Sequence, residues 1–99
     1  MFTKNKIIKV IQSNTEEIKG LGVKRIGIFG SFINSAANNK SDIDVLIEFQ
    51  KGKKRFDNYM ELKFFLEKIF HRKIDLVIKE ALKPRIKKNI IREVLYARI

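Results

Sequence analysis

Apolar and polar positions follow two periods along this chain, and the switches between them outline its elements. From Lys4 to Ser13, Ile7, Ile8 and Ile11 fall on one side and lysines on the other, the spacing of an amphipathic helix. Asn14 followed by Glu17 has the spacing of a capping box, so a second short helix is expected to about Lys19, stopped by Gly20 and Gly22. Lys24–Phe29, with Ile26 and Ile28, reads as a short buried strand ended by Gly30-Ser31. Phe32–Ala37 reads as a short helix and Asn38–Ser41 as a turn. Ile43–Phe49 is the strongest strand signal, rich in Ile, Val, Leu and Phe. A basic loop, Gln50–Arg55, leads to a helix over Asp57–Phe70 that buries Tyr59, Leu62, Leu66 and Ile69. Lys73–Ile78 is a third strand. Pro84 suits the first turn of a last helix, expected to bury Ile86, Ile90, Val94 and Leu95 and to show its Lys and Arg to water.

Helices interleaved with three strands imply an α/β layer, a small sheet covered on one side, with strand direction left open by the sequence. At 99 residues there is material for one core and one domain, spanning residues 1–99. Eight Phe and many Ile argue against disorder. No apolar run approaches the roughly 20 residues of a membrane-spanning helix. The basic N-terminus lacks a secretory core, because Lys9 and Gln12 interrupt its isoleucines. With no Cys, thiol chemistry, disulfides and thiolate metal sites are excluded, and a cytoplasmic location is the expectation.

Charge changes this picture in one respect. Lys and Arg number 22 against 11 Asp and Glu, a formal net charge of +11. The excess gathers at Lys51, Lys53, Lys54 and Arg55, and again at Lys83, Arg85, Lys87, Lys88, Arg92 and Arg98, diluted only by Glu93. Such blocks serve either solubility or a polyanionic partner, and charge alone does not separate the two.

Three features converge on chemistry. Gly30-Ser31 ends a strand and enters a helix, where a residue without a side chain and free N–H groups suit a phosphate and Ser31 adds a hydroxyl. Asp42 and Asp44, two apart at the start of a strand, project from one face, with Ile43, Val45 and Ile47 pointing into the core. Two adjacent carboxylates repel unless a cation lies between them or one binds a proton. Asp75 is a charge inside an otherwise apolar strand. If its strand lies beside that of Asp44, three carboxylates share a face and suit two Mg²⁺ ions about 3.5–4 Å apart, the arrangement for in-line phosphoryl displacement. Taken singly, Asp42 reads as a turn residue, Asp44 as an edge charge and Asp75 as a partner of Lys73 or a neighbouring Arg.

Gly30-Ser31 followed after ten residues by Asp42-Ile43-Asp44 resembles the signature of the DNA polymerase β-like nucleotidyltransferases, in particular the minimal nucleotidyltransferase (MNT) branch. Val23–Phe32, Ser41–Ile47 and Ile74-Asp75-Leu76-Val77 are similar to that branch in motif and order. The resemblance implies an α+β fold with a small three- to four-stranded mixed sheet covered by helices. It implies AMP transfer from ATP to a hydroxyl, with Gly30 and Ser31 holding the triphosphate. Asp42 and Asp44 would ligate both Mg²⁺ ions, and Asp75 the ion nearer the acceptor, where it helps remove the hydroxyl proton. It further implies a partner: the branch is typically an antitoxin that adenylylates a tyrosine of an HEPN-family ribonuclease toxin. Relatives carry Arg where this chain has Asn34 and Asn38, and Gly where it has Ser35, so fewer fixed cations face the triphosphate unless Lys40 or the loop lysines replace them.

Two other readings remain: a degenerate antitoxin that neutralises by binding alone, and a basic nucleic-acid-binding module, for which no helix-turn-helix or RNA-recognition motif is present. Glu48 is expected to be a solvated charge at a strand end, His71 a surface residue closing a helix, Tyr59 and Tyr96 packing residues, and the eight Phe core residues.

Overall fold

The computed structural model describes residues 3–33 and 41–99. In chain order they form α1 (Lys4–Ser13), α2 (Thr15–Gly20), β1 (Val23–Phe29), a 3-10 turn at Gly30–Phe32, β2 (Ile43–Phe49), α3 (Phe56–Phe70), β3 (Ile74–Ile78), a second 3-10 turn at Lys79–Ala81, α4 (Pro84–Glu93) and β4 (Leu95–Ala97). Asn34, Ser35, Asn38 and Lys40, together with most of the helix expected at Phe32–Ala37 and of the turn after it, lie outside the described residues.

The strands form one mixed sheet in the order β3-β2-β1-β4. β1 runs antiparallel to both β2 and β4, whereas β2 and β3 are parallel and are joined through α3, since parallel neighbours need a crossover. One face of the sheet carries the core. Ile26 and Ile28 of β1, Ile43, Val45 and Ile47 of β2, and Ile74 and Leu76 of β3 are buried against Ile7 and Ile11 of α1, Ile18 of α2, and Leu62, Leu66 and Phe70 of α3. The helical spacing in the sequence therefore corresponds to real burial, with Phe70 rather than Ile69 as the innermost residue near the end of α3.

The opposite face carries Asp44, Glu48 and Asp75, and a β-bulge shapes it. The register passes from Val23↔Phe49 to Arg25↔Glu48, leaving one extra residue on β1. Val23 is thus buried with Phe49, yet Arg25 still emerges on the outer face beside Glu48. Glu48 is not the solvated charge expected. Its side chain is 13% exposed, and its Oε2 lies 3.5 Å from Arg25 and 3.6 Å from Lys79. The Arg25 guanidinium also lies 4.2 Å from the centroid of the Tyr96 ring, so one cation ties β1, β2 and β4 together.

Side chains of α3 cover the free edge of β3. The Tyr59 hydroxyl donates to the Leu76 carbonyl at 2.7 Å, and the Ile74 N–H donates to Glu67 Oε2 at 3.3 Å. These bonds blunt an edge that would otherwise pair with another chain. His71 closes α3 in the left-handed conformation, φ 52°, exposed as expected.

Several expectations are corrected. Asn14 makes no side-chain cap to α2. Its amide donates instead to the Val10 carbonyl at 2.7 Å, because the residue also ends α1, whose last carbonyls lack partners. The last helix stops at Glu93 and contributes no buried residue; Ile86 is exposed, and Leu95 lies in β4, a strand the sequence pattern did not suggest. Helical spacing and three strand residues are indistinguishable in so short an apolar stretch. Phe29, Phe32, Phe49 and Phe70 are buried, but Phe56 and Phe64 are exposed on α3. No helix among the described residues is long and apolar enough to cross a membrane.

Gly27 explains how β4 docks. A Cβ there would meet Leu95 O at 2.9 Å and Val94 Cγ2 at 2.8 Å, and the carbonyl, being backbone, cannot turn aside. Gly27→Ala is expected to push β4 from β1 and to destabilise the fold by about 1–3 kcal/mol, read from urea unfolding followed by circular dichroism.

Candidate active site

The site forms where β1 ends and β2 and β3 begin. β1 turns sharply at Gly30, whose φ of +74° places it in the left-handed region. A second constraint acts at the same atom: a Cβ on Gly30 would collide with Asp44 Oδ2. Glycine is required there both by backbone conformation and by the carboxylate packed against it. The Ser31 backbone N–H donates to the Asp44 carboxylate, so β1's terminal turn and the first residues of β2 are held together.

Asp44 and Asp75 are direct neighbours in the parallel β2–β3 ladder, which places both on the outer face. Their side chains share a hydrogen bond, which requires a proton between them, and Asp42, exposed just before β2, adds its charge to Asp44. The result is a carboxyl pushed up from 3.8 to about 6. Burial is the largest cause, followed by the charge of Asp75, and the Ser31 N–H opposes the shift. Asp75 reaches further: after burial, its charge is what pushes the Tyr59 phenol above its ordinary value.

The structure therefore brings the five sequence candidates, Gly30, Ser31, Asp42, Asp44 and Asp75, to one corner of the sheet. Among the described residues no ion pair joins Lys or Arg to these three Asp; the Lys and Arg ion pairs there reach Glu48 and Asp57. Among the described residues, too, no three such side chains already converge as a ready-made metal cluster. The donor set nevertheless suits a hard divalent cation: oxygen ligands only, crowded enough that one carboxyl holds its proton to about pH 6.

Two contributors escaped the sequence reading. Arg72, following α3, donates to the Ser41 carbonyl at 2.7 Å and lies 5.4 Å from the centroid of the Phe32 ring, bracing the approach to Asp42. Glu93, at the end of α4, accepts a hydrogen bond from the Gly30 N–H at 3.0 Å. Residues so distant in sequence leave no local pattern that could announce these contacts.

Comparison with known proteins agrees with this geometry. Residues 4–97 match the nucleotidyltransferase domain family, and the chain belongs to it. It is 34% identical over 97 residues to the protein adenylyltransferase MntA of Thermococcus cleftensis, covering 97% of each chain. Among solved structures, a toxin–antitoxin complex with AMP-PNP aligns at TM-score 0.68 and 21% identity, over 96% of this chain and 72% of that one. A tri-AMPylated Shewanella oneidensis HEPN toxin in complex with MNT antitoxin aligns at TM-score 0.59 and 20% identity, over 94% and 66%. At these identities the two structures attest the fold alone. The chain is thus a nucleotidyltransferase of the minimal kind, as the Gly-Ser and Asp-x-Asp motifs implied.

Two consequences are measurable here. Because Asp44 binds its proton more tightly folded than unfolded, the folded state is favoured at low pH and loses that advantage as pH rises from about 4 through about 6. Asp44→Asn is therefore expected to melt above the parent at pH 7.5, by the equivalent of roughly 1 kcal/mol after solvent screening, and the difference should fade toward pH 4. Gly30→Ala forces both a left-handed alanine and a collision with Asp44; a loss of about 1–3 kcal/mol in chemical unfolding is expected.

Proposed function

We propose that this protein transfers AMP from ATP to a hydroxyl, a tyrosine of a partner HEPN-family toxin, and thereby acts as that toxin's antitoxin. The observation that carries the reading is the register pair Asp44↔Asp75 beside the Gly30–Ser31 turn, with Asp42 at its mouth. The MntA relative's name supports the adenylyl group and a protein acceptor, and the solved neighbours contain AMP-PNP and an AMPylated HEPN toxin.

In this reading the Gly30 amide and the Ser31 hydroxyl bind the triphosphate, and the turn, with its Ser31 N–H held by Asp44, fixes it in orientation to the three Asp. Asp42 and Asp44 would hold Mg²⁺ jointly, with Asp75 as a further ligand beside the acceptor. When bound, the metal supplies charge neutralisation at the phosphates and lowers the acceptor's pKa. Asp75 positions the acceptor hydroxyl and accepts its proton. A new bond forms between the acceptor oxygen and the α-phosphorus, the bond from that phosphorus to the β-phosphate bridging oxygen breaks, and pyrophosphate leaves. Burial first, and then the charges of Asp75 and Asp42, push the Asp44 carboxyl up to about 6, so the site carries negative charge that a cation would offset.

The reading is tested by incubating the protein and its partner with Mg²⁺ and ATP labelled at the α-phosphate. Label on the partner and one pyrophosphate per AMP are expected. The double variant Asp42→Asn/Asp44→Asn should remain folded by circular dichroism and lose transfer by a factor on the order of 10³, the several kcal/mol a catalytic metal contributes. Transfer at the parent rate by that variant would overturn the metal assignment; protection from the toxin without any transfer would show neutralisation by binding alone.

A further inference from the structure

The contact between Glu93 and Gly30 is out of keeping with the helix that makes it. α4 carries Arg85, Lys87, Lys88 and Arg92, and Glu93 is its one acidic residue, placed at the last position. There the carbonyl ends of the helix repel a negative charge, so helix stability does not account for it. Its Oε1 instead lies 3.0 Å from the Gly30 nitrogen, accepting the N–H of the turn that ends β1. The next amide, that of Ser31, is taken by Asp44. The backbone donors of Gly30 and Ser31 are thus both occupied by carboxylates of the protein itself. Asp44 is committed to β2 and to its neighbours Asp75 and Asp42; Glu93 reaches the turn from the end of an exposed helix with no buried residue.

We propose that Glu93 is a built-in stand-in for phosphate: its carboxylate holds the Gly30 N–H in the empty enzyme and must leave it when a polyphosphate binds. This rests on the reading of Gly30 and Ser31 as triphosphate donors given above. Two physical effects follow. A ligand oxygen can take the Gly30 N–H only after the carboxylate is displaced. A carboxylate that stays close then repels the phosphate charge, an effect that salt screens because Glu93 is exposed. Glu93 therefore weakens ATP and pyrophosphate alike, and leaves a ligand without phosphate untouched. For an enzyme whose product is pyrophosphate, the device hastens release and keeps the turn preformed between turnovers. No covalent step is altered; Glu93 is a positioning residue for the binding steps.

The test is isothermal titration of Mg²⁺-pyrophosphate, Mg²⁺-ATP and adenosine into the parent, Glu93→Gln and Glu93→Ala. Glu93→Gln keeps an oxygen that can accept the Gly30 N–H and so preserves the latch, while removing the charge. Both variants are expected to bind pyrophosphate and ATP roughly three- to tenfold more tightly than the parent at low salt, with the gain shrinking at high salt and adenosine unchanged. A role confined to holding α4 in place predicts the opposite for Glu93→Ala, equal or weaker binding together with a lower melting temperature. If the parent binds both phosphate ligands and Glu93→Gln binds them no more tightly, the inference falls and the nucleotide reading stands. If the parent binds neither, both fall.

Discussion

Everything at the active corner depends on the register of the parallel β2–β3 pair. On the inner face Ile43, Val45 and Ile47 meet Ile74, Leu76 and Ile78, and burial of that apolar set is what selects the alignment. A slip of one residue would turn Asp75 into the core, where an unpaired carboxylate is prohibitive. The core thus forces Asp44 and Asp75 together on the outer face, and their mutual repulsion is borne by contacts that favour the fold.

The same logic extends to Gly30. Asp44 packs closely on the β1 turn, whose left-handed φ favours glycine at position 30, and Ser31's N–H compensates part of the charge. The turn, the two strands and the carboxylates form one unit in which each part restricts the next. This gives a preorganised corner in which three carboxylates lie close to a left-handed turn and one of them is pushed up to about 6. Two blocks of the chain's excess positive charge lie on the 51–55 loop and on α4, whereas the side chains at the corner itself are acidic.

The C-terminal segment plays a part the core does not require. α4 buries nothing fully, yet it delivers Glu93 to Gly30 and passes directly into β4, which lies over Gly27 and brings Tyr96 against Arg25. Arg25 in turn grips Glu48, the charge that seemed destined for water. An edge strand of three residues is thereby anchored by polar contacts and a close backbone approach.

The sequence by itself determined the helices α1 and α3, the first three strands and the candidate acids, because period-2 and period-3.6 patterns and the Gly-Ser and Asp-x-Asp spacings are local properties of the chain. Residue spacing could set Asp42 and Asp44 close together; whether Asp75 lay beside Asp44 waited on strand order and register. Tertiary structure alone decided that union, the bulge that presents Arg25, the fourth strand, and the hold of Glu93 on Gly30, 63 residues away. The physical reason is that these contacts join segments remote along the chain, and their energy exists only after burial of the shared core has brought those segments together.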